Sequence, residues 1–151
     1  MRVSELMSRP VVTIKESESC REAVTQMCRA KVRHLPVLDS EGALVGIVTD
    51  RDLRHRLFAP DVYARIGRVP VGIVLGEAPI RDVMSAPVLS VSPTSSMTEA
   101  AERMRASKVG ALLVVEAGRV VGILTEIDIL RQIVHAEAPL GPDMEIVVSF
   151  P

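Results

Sequence analysis

The chain has 151 residues and a mass of 16.4 kDa, enough for one domain or two very small ones. Its composition, 48% hydrophobic and 25% charged, is typical of a folded globular protein and argues against bulk disorder. A formal net charge of -1 and an aromatic content of 2% provide neither a basic field nor base-stacking platforms, so nucleic-acid binding is not expected. No apolar run approaches the roughly 18 residues of a membrane span. Two cysteines and no secretory leader predict a cytoplasmic protein without membrane contact.

The chain contains an internal repeat, which is visible when residues 3–57 are written above residues 80–133. The pattern Leu-Met-Ser-Arg-Pro-Val at 6–11 aligns with Val-Met-Ser-Ala-Pro-Val at 83–88. The pattern Val-Gly-Ile-Val-Thr-Asp-Arg-Asp at 45–52 aligns with Val-Gly-Ile-Leu-Thr-Glu-Ile-Asp at 121–128. Because the matches stay in register, the sequence predicts two units of about 55 residues.

In the first unit, the chain order is strand, helix, hairpin, helix. A short β-branched strand is expected at 11–14, and a helix follows the S-x-x-E capping box of Ser19 and Glu22. Apolar runs at 35–38 and 44–48 flank a Gly-containing turn, which predicts a hairpin. A second helix is expected to start near Asp50.

The second unit repeats this order, with a capping box at Ser96 and Glu99, hairpin strands at 112–115 and 120–124, and a helix near Glu126. One unit alone would bury too little surface to be stable. The expected fold is therefore α/β (α+β), with two β-α-β-β-α repeats packed around a pseudo-two-fold axis and sharing one core.

The predicted organisation has four parts: a first repeat at 1–57, a connector at 58–79, a second repeat at 80–135, and a C-terminal tail at 136–151. The connector is rich in Pro and Gly, so the sequence predicts no more than an ordered linker there. Residues 145–150 of the tail could add an edge strand.

The order and duplication of these motifs resemble the cystathionine-β-synthase (CBS) domain, and the tandem pair resembles a free-standing Bateman module. The resemblance is carried by the Met-Ser-x-Pro-Val motifs, the His34-Leu35-Pro36-Val37 hairpin start and the two Gly-Ile-Val/Leu-Thr-x-x-Asp motifs. It implies two clefts between the repeats, where many members bind adenosine-containing ligands, although other pairs have no known ligand.

Thr49 and Asp52, like Thr125 and Asp128, stand where a strand ends and a helix begins, which has two interpretations. The simpler one is helix capping by the Thr hydroxyl and the Asp carboxylate. In the family that the chain resembles, this Asp binds the ribose hydroxyls and the Thr lies beside the ribose phosphate. A carboxylate suits a vicinal diol because it has two acceptor oxygens.

Arg33 and His34 start the first hairpin, where the simpler interpretation is a polar strand end at the surface. The resemblance implies that basic residues here contact phosphate. The second repeat has Gly110 and Ala111 at these positions, so the two clefts are expected to differ. The resemblance also implies that each cleft combines both repeats. One cleft would contain Thr125, Asp128, Val12, Thr13, Arg33, His34 and Pro36, and the other Thr49, Asp52, Leu89, Ser90 and Ala111. Arg51 belongs to a basic run that is typical of a solvated helix face, and a phosphate in the second cleft is its alternative contact. Only the first cleft is expected to join a ribose acceptor to the basic pair, and it is the preferred site.

The function expected from this resemblance is a regulatory module, not an enzyme, that binds AMP, ADP, ATP or a related compound such as S-adenosylmethionine. No metal or required cofactor is expected, because neither a nucleotide loop nor zinc-ligand spacing is present. The alternative is a ligand-free dimerisation scaffold for a regulated protein that the sequence does not identify. A homodimer is expected in both cases, because Leu53, Leu57, Ile129 and Ile133 continue the apolar faces of the second helices.

Overall fold

The computed structural model describes residues 1–59, 64–65 and 67–136. This part of the chain contains six α-helices and two three-stranded sheets. The helices are α1 (Val3–Leu6), α2 (Cys20–Ala30), α3 (Asp50–Leu57), α4 (Val71–Gly76), α5 (Met97–Ser107) and α6 (Glu126–Ala136). The strands are β1 (Ile14–Lys15), β2 (His34–Leu38), β3 (Leu44–Thr49), β4 (Ser90–Val91), β5 (Ala111–Glu116) and β6 (Arg119–Thr125), and a short 3-10 helix covers Ile80–Asp82. The edge strand considered at 145–150 lies outside the described residues.

The two sheets have the same topology, which confirms the predicted β-α-β-β-α repeat. In the first, β1 pairs in parallel with β2, and β2 pairs antiparallel with β3. In the second, β4, β5 and β6 are arranged in the same way. The first strand of each repeat is only two residues long, shorter than the predicted 11–14, because only Ile14 and Lys15 find ladder partners on β2.

The N-termini of α2 and α5 form only half of the predicted capping boxes. The Ser19 hydroxyl accepts a hydrogen bond from the Glu22 amide at 3.2 Å, and Ser96 does the same for Glu99 at 3.1 Å. The Glu22 carboxylate instead accepts a bond from Gln26, at 3.3 Å, within its own helix. The Ser hydroxyls therefore satisfy one free helix amide each, which is the main stabilising part of such a cap.

The two repeats have separate cores, each completed by the N-terminal segment of the other repeat. Val3 is fully buried in the core of the second repeat, and Ile80 is fully buried in the core of the first. Matching bridges fix the crossings: Ser8 pairs with Ile123 on β6, and Ser85 pairs with Ile47 on β3. The expectation of one shared core is therefore wrong. The repeats are held together because they exchange segments.

Each exchanged segment places a methionine against a glycine of the opposite hairpin. A Cβ atom on Gly46 would lie 2.5 Å from Met84 Sδ, and one on Gly122 would lie 2.4 Å from Met7 Sδ. Any larger residue at these two positions would collide with the thioether. The Val-Gly-Ile motif of each repeat is thus explained by close approach of the exchanged segment.

The connector contains a helix, α4, that the sequence pattern did not predict. Its Leu75 and the following Ala78 are buried in the core of the first repeat, and the Ala78 carbonyl accepts a hydrogen bond from the Cys20 amide at 3.0 Å. Arg65 and Glu77 form an ion pair at 2.6 Å across this segment. The later part of the connector is therefore integral to the first repeat.

Of the four apolar residues expected at an interface on the second helices, Ile133 alone is exposed. Leu53 and Ile129 are buried in the cores of their own repeats, and Leu57 packs against the first core. Helix α6, by contrast, covers the second sheet and leaves a row of large apolar side chains exposed, namely Ile127, Leu130, Ile133 and Val134.

Candidate functional site

A cavity with a volume of about 1000 Å³ lies between the two repeats. The first repeat contributes the start of β2, the end of β3 and much of α3. The second repeat contributes residues 87–89, the C-terminal end of α5, and the starts of β5 and α6. Both repeats are therefore needed to form the cavity walls, as the resemblance implies for each cleft.

Thr49 and Asp52 line this cavity and form a complete capping box at the start of α3. The Asp52 amide donates to the Thr49 hydroxyl at 3.2 Å. Asp52 Oδ2 accepts hydrogen bonds from the Thr49 amide at 2.8 Å and from its hydroxyl at 2.9 Å. Asp52 Oδ1 accepts no hydrogen bond from any described residue, so one carboxylate oxygen is available to a ligand.

The second repeat has the same box at the start of α6. Asp128 Oδ2 accepts from the Thr125 amide at 2.8 Å and from its hydroxyl at 2.7 Å, and the Asp128 amide donates to that hydroxyl at 3.4 Å. Helix capping is therefore confirmed at both Thr-x-x-Asp motifs. It leaves Asp52 Oδ1 for a ribose hydroxyl, whereas Asp128 Oδ1 forms an ion pair with Arg131 at 3.7 Å.

Arg33 and His34 lie on the same cavity as Thr49 and Asp52. Antiparallel pairing of β2 and β3 places His34 opposite Thr49, and the Arg33 carbonyl accepts a hydrogen bond from the Asp50 amide at 3.1 Å. In an antiparallel pair, the start of one strand and the end of its neighbour lie at the same end of the sheet. The expectation that only the Thr125 and Asp128 cleft joins a ribose acceptor to the basic pair is therefore wrong.

His34 is partly buried beside charges of both signs. Burial is the main cause that lowers its pKa below the ordinary value of 6.5, and the neighbouring Arg33 lowers it further. The carboxylates of Asp50, Glu126 and Asp52 act in the opposite direction without cancelling these effects. His34 is therefore neutral near pH 7, and an anion bound nearby would favour its protonated form.

Ala111 and Leu89 also line the cavity, together with Arg51, so this wall agrees with the second cleft expected from the resemblance. Arg105, Lys108 and Glu126 line it too, although no sequence motif marks them as site residues. Lys108 is the C-cap of α5, with a left-handed backbone at φ 54°. Its alignment with Lys31 in the internal repeat was a sequence signal for this position.

Six predicted site residues do not line this cavity: Val12, Thr13, Pro36, Ser90, Thr125 and Asp128. Pro36 is fully buried because three successive residues of β2 face packed structure, so its side chain is not open to a ligand. Val12 packs against the first core. Thr13 lines a separate cavity of about 380 Å³ beside the first hairpin turn. Ser90 lies in β4, and its carbonyl accepts a hydrogen bond from Arg103.

The described residues hold no cluster of three or more His, Cys, Asp or Glu side chains that could bind a metal ion. None of the described helices combines the length and the apolarity needed to cross a membrane.

Comparison with known proteins identifies the family. The CBS domain family model matches residues 3–59 and 80–135, more than half of the chain. The chain therefore belongs to the CBS domain family, with two tandem copies.

Among curated relatives, an uncharacterized protein of Methanocaldococcus jannaschii is 31% identical over 147 residues, which is 96% of this chain and 34% of that protein. A CBS domain-containing protein of Dictyostelium discoideum is 29% identical over 148 residues, which is 93% of this chain and 96% of that protein. The chain thus spans about a third of the first relative and nearly all of the second.

Solved structures share the fold over most of both chains. The CBS domain pair of protein MJ0100, in complex with 5'-methylthioadenosine and S-adenosyl-L-methionine, has a TM-score of 0.76 at 25% identity and covers 91% of this chain and 98% of its own. The structure of CBSX2 in complex with AMP has a TM-score of 0.70 at 28% identity and covers 89% of this chain and 97% of its own.

Proposed function

We propose that this protein is a regulatory module that binds an adenosine-containing ligand in the cavity between its two repeats, 1–57 and 80–135, which the 58–79 connector joins. The single observation that carries the proposal is the composition of this cavity: an available Asp52 oxygen lies in the same space as basic side chains from both repeats. The related CBS pairs in complex with AMP or with S-adenosylmethionine support the ligand class.

In this proposal, Asp52 Oδ1 accepts a hydrogen bond from a ribose hydroxyl, while Oδ2 keeps its capping role. Arg33 and Arg51 bind the phosphate, and His34 lies beside it. Ala111 and Leu89 form part of the opposite wall. Because the walls belong to different repeats, a ligand that contacts both favours the arrangement in which they are correctly spaced. That shift in population is the regulatory output, and the module itself carries out no reaction.

The other expected cleft, with Thr125, Asp128, Val12 and Thr13, stays a prediction. We place it second, because Arg33 and His34 line the cavity beside Thr49 and Asp52.

The test compares Asp52→Asn with Asp128→Asn by calorimetric titration with AMP and with adenosine. Asn retains one carbonyl oxygen for the capping box but replaces the other oxygen with an amino group. The two boxes have nearly the same hydrogen-bond distances, so Asp128→Asn is the control; it also weakens the ion pair of Asp128 with the exposed Arg131, which contributes little to stability. Loss of a charge-assisted hydrogen bond costs roughly 1.5–3 kcal/mol, so Asp52→Asn should weaken both ligands by about tenfold to a hundredfold.

If Asp52→Asn lowers the melting temperature without changing either affinity, Asp52 is only a helix cap and the assignment of the site is wrong. If wild-type protein shows no heat of binding and no thermal shift with AMP, ADP, ATP, adenosine or S-adenosylmethionine, the ligand-sensing function itself is wrong.

The alternative function is a ligand-free scaffold that forms a homodimer or holds a regulated protein. The specific observation in its favour is the exposed row Ile127, Leu130, Ile133 and Val134 on α6. Light scattering at tens of micromolar should give a dimer mass for the wild type and a smaller mass for Ile133→Glu. A wild-type mass of one chain would contradict the homodimer. We place both functions in the cytoplasm.

A further inference from the structure

The cavity between the repeats is lined by more positive than negative side chains. Three carboxylates line it, from Asp50, Asp52 and Glu126. Five cationic side chains face them, those of Arg33, Arg51, Arg54, Arg105 and Lys108. A concave space with such an excess attracts anions more strongly than a flat surface of the same charge.

Two of the five cations already have acidic partners. Arg54 forms an ion pair with Asp50, and Arg105 forms one with Glu102 at 2.8 Å. In the part of the chain that the structure describes, the side chains of Arg33, Arg51 and Lys108 form no ion pair and no hydrogen bond. Three uncommitted cations therefore line the cavity. Arg33 and Arg51 come from the first repeat, and Lys108 comes from the second.

The internal repeat provides a comparison within the same molecule. The counterparts of Arg51 and Arg54 in the second repeat are Ile127 and Leu130, which are 40% and 53% exposed. The counterpart of Arg33 is Gly110. The three arginine charges therefore belong to the cavity beside Thr49 and Asp52, whereas Lys108 has a lysine counterpart, Lys31, in the first repeat.

We infer that this cavity selects adenosine ligands that carry phosphate groups over neutral or cationic adenosyl compounds, with Lys108 as the specificity residue contributed by the second repeat. The inference rests on the proposed function and narrows its ligand class. A phosphate group adds negative charge where Arg33, Arg51 and Lys108 lack partners, whereas a sulfonium group adds a positive charge to the same space. A phosphate bound by Lys108 and Arg33 together would also join the two repeats, which adenosine alone cannot do through these groups.

The test measures the affinity of wild-type protein for ADP, AMP, adenosine and S-adenosylmethionine by calorimetry at low ionic strength. We expect affinity to decrease in that order. Raising the salt concentration from 50 to 300 mM should weaken the binding of ADP and leave the binding of adenosine almost unchanged, because salt screens interactions between exposed charges.

Lys108→Met removes the charge and keeps the aliphatic side chain, and Lys31→Met is its matched control. Both lysines cap a helix of the same length with a left-handed backbone, φ 54° and φ 55°, so the two substitutions should affect folding equally. Lys31 does not line this cavity. Lys108→Met should weaken the affinity for ADP by about tenfold and leave the affinity for adenosine unchanged. This is the low end for a charge-assisted hydrogen bond, because the side chain is exposed. Lys31→Met should leave both affinities unchanged.

The possible failures are distinguishable. If S-adenosylmethionine binds as tightly as ADP, or if Lys31→Met weakens ADP as much as Lys108→Met does, the phosphate selectivity is wrong while adenosine binding stands. If Lys108→Met weakens adenosine and ADP equally, Lys108 is not a phosphate contact and its assignment is wrong. If none of the four ligands binds, both the inference and the proposed function are wrong.

Discussion

Replacing Gly122 by Ala tests whether the exchanged N-terminal segment fixes the relative position of the two repeats. The new Cβ would lie 2.4 Å from Met7 Sδ, 2.9 Å from its Cγ and 3.1 Å from its Cβ. Rotation of the Met7 side chain could move the sulfur away, but the Met7 Cβ moves only with the backbone. That backbone is held by the Met7 amide on the Val3 carbonyl at 2.9 Å and by Ser8 on Ile123 at 2.8 Å.

The expected cost follows from this lack of space. Inserting one carbon atom into a packed contact that cannot relax freely destabilises a protein by about 1–3 kcal/mol. For a chain of this size, each kcal/mol lowers the melting temperature by roughly 2–4 °C. Urea unfolding followed by circular dichroism measures the free-energy change, provided that the transition is two-state.

A double-mutant cycle identifies the cause. Met7→Ala removes both close thioether atoms, so Gly122→Ala should cost at least about 1 kcal/mol less in that background than in the wild type. Gly72→Ala is the control, because a Cβ there meets nothing within 4 Å and Ala is the better helix former. If Gly122→Ala has the same urea midpoint as the wild type, or lowers the free energy of unfolding equally with and without the Met7 side chain, the assigned contact between Met7 and Gly122 is wrong.

Three further predictions concern single side chains. Burial, and secondly Arg33, lower the pKa of His34 in the folded protein. The unfolded chain therefore binds more protons than the folded chain does as the pH falls below about 6.5. Stability should therefore decrease in that direction, and less so in His34→Gln; parallel pH profiles would contradict this. Because a bound phosphate favours protonated His34, titrations of AMP in buffers of different ionisation enthalpy should show less proton uptake in His34→Gln than in wild type; equal uptake would exclude His34 as the proton acceptor. Cys28 is exposed, whereas Cys20 is buried and burial raises the pKa of its thiol, so a thiol reagent should label one cysteine in the native protein and two in urea; rapid native labelling of both would show that Cys20 is accessible.

The Thr-x-x-Asp motifs are the part of the site that local sequence could predict. A capping box involves only two side chains three residues apart, so Thr49 and Asp52 form it once a helix begins between them. The same is true of the hairpins, whose strands are joined by short turns with Gly42 and Gly118 at positive φ. The sequence therefore predicted the order of elements in both repeats and the local geometry of the Thr and Asp residues.

Three features near the site depended on contacts between distant segments. Pro36 was expected to face a ligand, but it is fully buried because β2 lies inside its sheet with packed structure on both faces. Leu53 and Ile129 were expected at an interface and instead fill the cores of their own repeats. Helix α4 has no clear amphipathic pattern in its six residues, and it is fixed by burial of Leu75 against the first repeat.

The duplication and the β-α-β-β-α order could be predicted from periodicity, turns and caps within about 55 residues. The family was indicated by the resemblance of the repeated motifs. The repeat that each exchanged segment joins, and the charges that share one cavity, are set by the tertiary structure. Val3 is buried in the second repeat, and Lys108 lines a cavity with Arg33, which is 75 positions away in the chain. Such contacts arise because apolar surface is buried wherever the folded segments fit together, and spacing along the chain does not encode that fit.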